Sequence, residues 1–290
     1  MVGITGQTAI LLPSKLIVLL SSSWIGKKMP EGHKTHFLAK QHSDWFVGQT
    51  VRVTSPQGRF RQDARKVSGQ LLESCTAFGK HLFYEFESGR LIHIHLGRYG
   101  KYRILDSPPP KPVGAVRMRL VGDERTIDLT GPTTCRVIDP AMQDQVVAQL
   151  GPDPLAGGSK REVWDNIQSS AKPIGALLLD QKILAGVGNI FRAEVLFEIG
   201  MHPELTGQEI SREEFDLLWK SLVRMMRVGL KYGKIVTVRS SETKVRLNDL
   251  EGNDRFRVYG QKSCPRCEAV IETTEIAARK LYWCPQCQAR

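Results

Sequence analysis

The sequence predicts an α+β protein, with a β-sandwich in its first half, a helical domain in its second, and a small metal-bound module at its end. Three observations predict it. Short alternating apolar runs punctuated by Gly and Pro dominate from Met29 to about Ile138 and read as strands. Beyond residue 160 the apolar positions recur at helical spacing. Two Cys-x-x-Cys pairs, Cys264/Cys267 and Cys284/Cys287, close the chain.

In chain order, residues 9–20 (AILLPSKLIVLL) are apolar but interrupted by Pro13 and Lys15. The run is too short for a membrane span and has no clear cleavage site. Residues 1–28 therefore read as a non-native or unstructured extension, and the chain from Met29 as cytoplasmic, with no membrane partner. A short amphipathic stretch, His36 to Phe46, predicts a helix. VRVTSP and GQLLESCTAFGKHLFYEFESGRLIHIHL follow, the latter carrying a Ser-Gly turn between two alternating runs, a hairpin signature. KYRIL, AVRMRLV and RTIDLT continue the strands and complete a unit over 29–150. GPDPLAGGSK (151–160) reads as a linker.

A helical unit is expected over 161–250. REVWDNIQ opens it, KPIGALLLDQ follows with Pro at its start, and FRAEVLFEIG ends at Gly200, a C-terminal cap. SREEFDLLWKSLVRMMRVGLKYG begins with Ser211 and Glu214 in capping-box spacing. Val236 to Arg257 is polar and irregular and reads as a mobile loop. Residues 251–290 hold the cysteine pairs.

Lys and Arg number 41 against 30 acids, a net charge of +11; the first 28 residues hold three lysines and no acid, leaving +8 from Met29 onward. That balance favours a polyanionic partner, although solvated surface charge explains it about as well. Four of the six cysteines form the two pairs, 16 residues apart. Four thiolates so spaced suit one tetrahedral Zn²⁺ with no open position, a structural zinc ribbon. Cys75 and Cys135 read as core residues. In LDQKILAGVGNIFRAE, Gly186 and Gly188 permit a tight turn that opens a helix at Asn189–Ile190. Such a terminus offers N–H groups to a phosphate. On the residues alone, a helical corner that binds nothing accounts for it at least as well. His33, His93 and His95 read as structural.

Met29-Pro30-Glu31-Gly32-His33, the two-glycine turn and the four cysteines occur in this order. Together they resemble the formamidopyrimidine-DNA glycosylase / endonuclease VIII family, from Met29 to the C-terminus. The resemblance implies a catalytic β-sandwich, a helix-two-turn-helix DNA-binding domain and a zinc ribbon. It implies a bifunctional DNA glycosylase and abasic-site lyase of base excision repair, acting as a monomer on damaged double-stranded DNA by β,δ-elimination. After loss of Met29, Pro30 would be the amine nucleophile and Glu31 the general acid/base. Lys80 would be the third catalytic residue, contacting phosphate beside the lesion and supporting electrophilic stabilisation. Asn189 and Arg279 would grip the backbone, and Arg98 and Tyr99 would fill the gap left by the flipped nucleotide. VTVRSSETKVRLNDLEGND, with GHKTHFLAKQ and SPQGRF, leans toward the endonuclease VIII side and oxidised pyrimidines.

The extension conflicts with that chemistry, because an internal proline is an amide. The expected resolution is a true start at Met29. The alternatives are a damaged-DNA-binding relative with Pro30 blocked, and a lyase with little glycosylase activity.

Overall fold

The structure, a computed structural model, describes residues 30–289. The expected extension 1–28 and Met29 lie outside the described residues.

Helix α1 (Gly32–Phe46) begins four residues before the expected His36. Its start is set by a tertiary contact: the Gly32 N–H donates to the Gly186 carbonyl at 2.7 Å. Eight strands follow: β1 (Thr50–Thr54), β2 (Gln70–Phe78), β3 (His81–Phe86), β4 (Leu91–His95), β5 (Lys101–Asp106), β6 (Val116–Val121), β7 (Arg125–Thr130) and β8 (Thr134–Ile138). They hydrogen-bond in the order β5-β7-β6-β1-β2-β3-β4-β8, antiparallel throughout. Strand β1 is the corner. Thr50 and Val51 pair with β2, whereas Arg52, Val53 and Thr54 pair with β6. Inward side chains from both halves, Leu72, Tyr84 and Ile94 on one side and Met118, Leu120 and Ile127 on the other, form one core. Each buried aliphatic or aromatic side chain contributes roughly 1.5–3 kcal/mol. This is the expected sandwich, and the β3–β4 hairpin turns where Ser-Gly predicts, with Gly89 at φ 71°.

Two helices in this half escape the alternation argument. Helix α2 (Arg61–Arg65) is one turn and a half. Helix α3 (Pro140–Ala148) carries a legible start: Asp139 caps the Met142 N–H, and Pro140 takes the first position.

The helical half contains α4 (Lys160–Gln168), α5 (Ile174–Leu177), α6 (Asn189–Ile199) and α7 (Arg212–Tyr232). Gly200 ends α6 with φ 71°, and Ser211 and Glu214 form the capping box of α7, both as their spacing predicts. KPIGALLLDQ makes only a short helix. Past Leu178 the bonds tighten to i→i+3, Leu179 to Ala176 and Asp180 to Leu177, and the chain turns away. A core of Leu177, Leu184, Phe191, Leu218, Leu222 and Met226 joins these helices. The last segment forms a hairpin, β9 (Glu272–Ile276) and β10 (Arg279–Trp283). Among the described residues, no helix is long and apolar enough to cross a membrane.

Two segments differ from their composition. Gly151 to Pro154, read as linker, are buried. The Asp153 carboxylate is fully enclosed, and accepts from the Gly79 N–H and meets His36 Nε2, both at 2.7 Å. It thereby ties the sandwich to the helical half. Asp153→Ala should destabilise the protein by about 3 kcal/mol, because it strands the buried Gly79 N–H and removes the partner of the half-buried His36 imidazole. Denaturant unfolding with an unchanged slope measures this, and a loss below about 1 kcal/mol would refute the tie. The stretch from Val236 to Arg257 is pinned at both ends. The Thr237 hydroxyl donates to Glu194 at 2.6 Å, and buried Arg257 pairs with Glu198 and Glu242.

Candidate active site

Helix α1 lies between the sheet and α7, so Glu31 and Gly32 at its N-terminus meet the corner before α6. The approach is close enough to require glycine on both sides. A Cβ on Gly32 would sit 2.7 Å from Gly186 Cα, and one on Gly188 would sit 2.4 Å from the Glu31 carboxyl carbon. Gly186 also takes φ 89°, a left-handed conformation costly for other residues.

Glu31 is 3% exposed. Its carboxylate accepts from the N–H groups of Gly188 (2.9 Å), Ile190 (2.8 Å) and Phe191 (3.4 Å). The α6 N-terminus, read from the sequence as open to a phosphate, is therefore occupied by Glu31. Burial pushes the Glu31 carboxyl above its ordinary range, against the pull of Lys80 and of these three donors.

Lys80 follows Gly79 in the tight β2–β3 turn. Its ammonium donates to the Val187 carbonyl at 2.6 Å. Val187 O and Gly188 N belong to one peptide, so Lys80 and Glu31 bind opposite ends of the same planar unit. Burial, aided by nearby Arg279 and opposed by Glu31, lowers Lys80 to about 8. Lys80 lines a cavity of about 470 Å³ with His95, Gln181, Ala277 and Arg279. Pro30 lines a second, of about 220 Å³, with His33, Lys34, Ile190 and Arg255. The two cavities share no lining residue, so the structure places Pro30 apart from Lys80 and Arg279, with the buried Glu31 next to Pro30 in the chain. His33 packs edge-on against Phe191 at 5.3 Å, a structural place, whereas His95 stands on the cavity wall.

The ribbon supplies the far wall. Cys264 and Cys287 Sγ atoms lie 3.7 Å apart, and Cys267 lies 3.5 Å from both Cys284 and Cys287. All four are within 4.8 Å of one another. Tetrahedral zinc with bonds of about 2.3 Å sets sulfurs about 3.8 Å apart, so the donor set fits the ion. The hairpin turns through Ala277 and Ala278, both left-handed at φ 55° and 54°, and delivers Arg279 to the Lys80 cavity. Asn189 donates to the Lys280 carbonyl at 2.9 Å and accepts from Arg192, which locks α6 to the ribbon. Arg98 and Tyr99 stand apart from this cluster, in the β4–β5 turn. Both are exposed, Tyr99 by 62%, with the guanidinium 5.6 Å from the ring centroid.

Sequence reasoning passes over Arg192 and Glu194. Fully buried Arg192 donates to the carbonyls of Gly175 and Ile276. Glu194 accepts the N–H groups of Arg257, Val258 and Tyr259. The signal is in the sequence: two opposite charges within the otherwise apolar NIFRAEVLF demand buried partners.

Three family models match the chain. Residues 29–141 match the formamidopyrimidine-DNA glycosylase N-terminal domain, 150–241 the formamidopyrimidine-DNA glycosylase H2TH domain, and 261–290 the zinc finger found in FPG and IleRS. The chain is 44% identical over 267 residues to Endonuclease 8 1 of Mycobacterium tuberculosis, covering 90% of this chain and all of that one. It is 29% identical to the formamidopyrimidine-DNA glycosylase of Thermus thermophilus, over 90% of this chain and 98% of that one. In fold it matches the Lactococcus lactis Fpg in complex with abasic-site DNA, with a TM-score of 0.74 at 22% identity, over 90% of this chain and all of that one.

Proposed function

This chain belongs to the formamidopyrimidine-DNA glycosylase / endonuclease VIII family of base-excision-repair glycosylases, and on that premise we propose that it excises oxidised bases and then cleaves the abasic site through a Schiff base on Pro30. One observation carries the reading. The buried Glu31 carboxyl follows Pro30 directly, and the peptide that holds it also holds the Lys80 ammonium.

The chemistry follows from these groups. Once Pro30 is N-terminal, its secondary amine attacks the sugar C1′. Glu31, whose hold on a proton burial strengthens, gives that proton to the ring oxygen. The C1′–N bond breaks, and the base leaves with the electron pair and takes up a proton. The proline nitrogen loses its proton, and its lone pair forms the iminium as the protonated C1′–O4′ bond opens, which leaves a free C4′ hydroxyl. Loss of the C2′ proton then expels the 3′ phosphate, and a second elimination expels the 5′ phosphate. Lys80, Asn189 and Arg279 hold phosphates around the everted nucleotide, and Arg98 and Tyr99 occupy the vacated stack. One zinc ion, held by Cys264, Cys267, Cys284 and Cys287, keeps the ribbon folded. The greater identity to an Endonuclease 8 than to the Thermus enzyme supports oxidised pyrimidines in duplex DNA as substrates. The reading includes a monomer acting in the cytoplasm.

Borohydride trapping on abasic duplex tests it, with protein beginning at Pro30 compared with protein beginning at Met1. The first should crosslink and the second should not, because an amide nitrogen forms no iminium. If neither crosslinks while both bind, the chemistry proposed here is wrong and the protein is a non-catalytic damaged-DNA binder.

A further inference from the structure

The glycine corner is closed by one side chain that the proposed chemistry does not use. Gln181 Nε2 donates to the carbonyls of Leu179 and Val187, both at 2.9 Å, and its Oε1 accepts from the Gly186 N–H at 3.0 Å. Both ends of the amide are engaged within the turn. We propose that Gln181 is a positioning residue, which aligns Lys80 with Glu31 by fixing the Val187–Gly188 peptide. The inference rests on the function proposed above.

The argument is geometric. The Val187 carbonyl receives Lys80 Nζ and Gln181 Nε2, while the N–H of the same peptide goes to Glu31. A peptide is planar, so a rotation that moves its oxygen moves its N–H equally. Gly188 borders this peptide and has no Cβ to restrict its φ, so the plane is not fixed from that side. Buried Val187 anchors one side chain but leaves the plane of the following peptide unset. Lys80 and Glu31 cannot set it, since they are the groups to be placed. Gln181 reaches it from a third direction, and holds the Gly186 N–H as a second fixed point. Only a carboxamide of this length both donates to a carbonyl and accepts from an N–H here. Asn is a methylene short, Glu offers the carbonyl no hydrogen, and Met offers neither group.

The test compares wild type with Gln181→Met and Gln181→Glu, all beginning at Pro30. Single-turnover base excision, binding to a duplex bearing a tetrahydrofuran abasic analogue, and thermal melting are measured together. Misplacing the two groups by a fraction of an ångström should slow excision about 10- to 100-fold, while binding changes by no more than about threefold. In Gln181→Met the alkaline limb of the rate, expected near the Lys80 value of about 8, should also move to lower pH once the acceptor is loose, whereas the carboxylate of Gln181→Glu opposes that shift, so that variant is read by rate alone. Glu31, Arg279, His81 and His95 face Lys80 and are unchanged in these variants. Excision and pH limb both unmoved in folded Gln181→Met would overturn the inference. So would equal losses of rate and binding, which mark a structural role alone. If Gln181→Met does not fold, Gln181→Glu decides, since it keeps the acceptor for Gly186; a wild-type rate there overturns the inference. Absence of excision and of a borohydride adduct in wild type instead refutes the function proposed above, and this inference falls with it.

Discussion

Glu31→Gln should slow base excision by about 10³-fold or more, with damaged-duplex binding largely retained. The carboxyl sits on three N–H groups at a helix start, buried, beside Pro30, whose amine is the proposed nucleophile. The amide cannot give up a proton, and its NH₂ must also face one of those N–H groups. Two effects therefore separate in the measurement. Single-turnover excision reads the chemical loss, and a residual rate within about tenfold of wild type would remove Glu31 from the chemistry. Thermal stability against pH reads the ionisation. Burial raises the folded Glu31 pKa above its ordinary 4.5, so the folded state holds its proton longer than the unfolded chain. The stability linked to that proton is fully present below about 4.5 and is lost as pH rises through the raised value. Glu31→Gln has no such proton. The stability difference should therefore move in the variant's favour as pH climbs through that window, and a flat difference would place the Glu31 pKa at its ordinary value.

The division between what can and cannot be read in advance follows the range of the interaction. Capping boxes, left-handed glycine caps, the Ser-Gly hairpin and the thiolate pairs are local, and Gly200, Ser211, Glu214 and the four cysteines stand where spacing places them. The Asp139-Pro140 start of α3 is equally local, but the surrounding alternation argues for strands and hides it. What spacing alone cannot give is an occupant arriving from 157 residues away. The α6 N-terminus presents its N–H groups as expected, yet a carboxylate of this same chain fills it. Asp153 makes the same point in reverse. Its neighbours are Gly and Pro, so composition reads linker, but its carboxylate reaches Gly79 and His36 and becomes a buried joint. Lys80, Arg279 and Pro30 are singled out by resemblance to a family. The meeting of Lys80 and Arg279 on one cavity, with Pro30 on another, depends on the sheet, the ribbon and α1 packing around one corner.

Cys267→Ser should abolish tight DNA binding, weakening it by at least about 100-fold, while leaving the sandwich folded. The ribbon has little core of its own: Ile271, Cys264 and Cys284 pack with Ala193, Phe197 and Val258 from outside the hairpin. Structural zinc contributes on the order of 10–16 kcal/mol to such modules, far more than that small cluster, so losing one thiolate should release the hairpin. The sandwich core draws no residue from the ribbon, and its strand signal in circular dichroism should persist. Arg279 leaves the site with the hairpin, and the phosphate contact proposed for it goes too. The same variant carries a second, opposite consequence for the site. Arg279 helps hold Lys80 down near 8, so freeing the hairpin lets the Lys80 pKa rise. At saturating DNA, the alkaline limb of excision should then move to higher pH, the reverse of the shift expected when Gln181 is removed. Zinc content, binding to the abasic-analogue duplex and the pH limb check the three parts in one preparation. Normal binding by metal-free Cys267→Ser would show that the ribbon does not grip DNA. Loss of binding with an unmoved limb would show that Arg279 acts on phosphate alone and leaves the charge state of Lys80 to burial and Glu31.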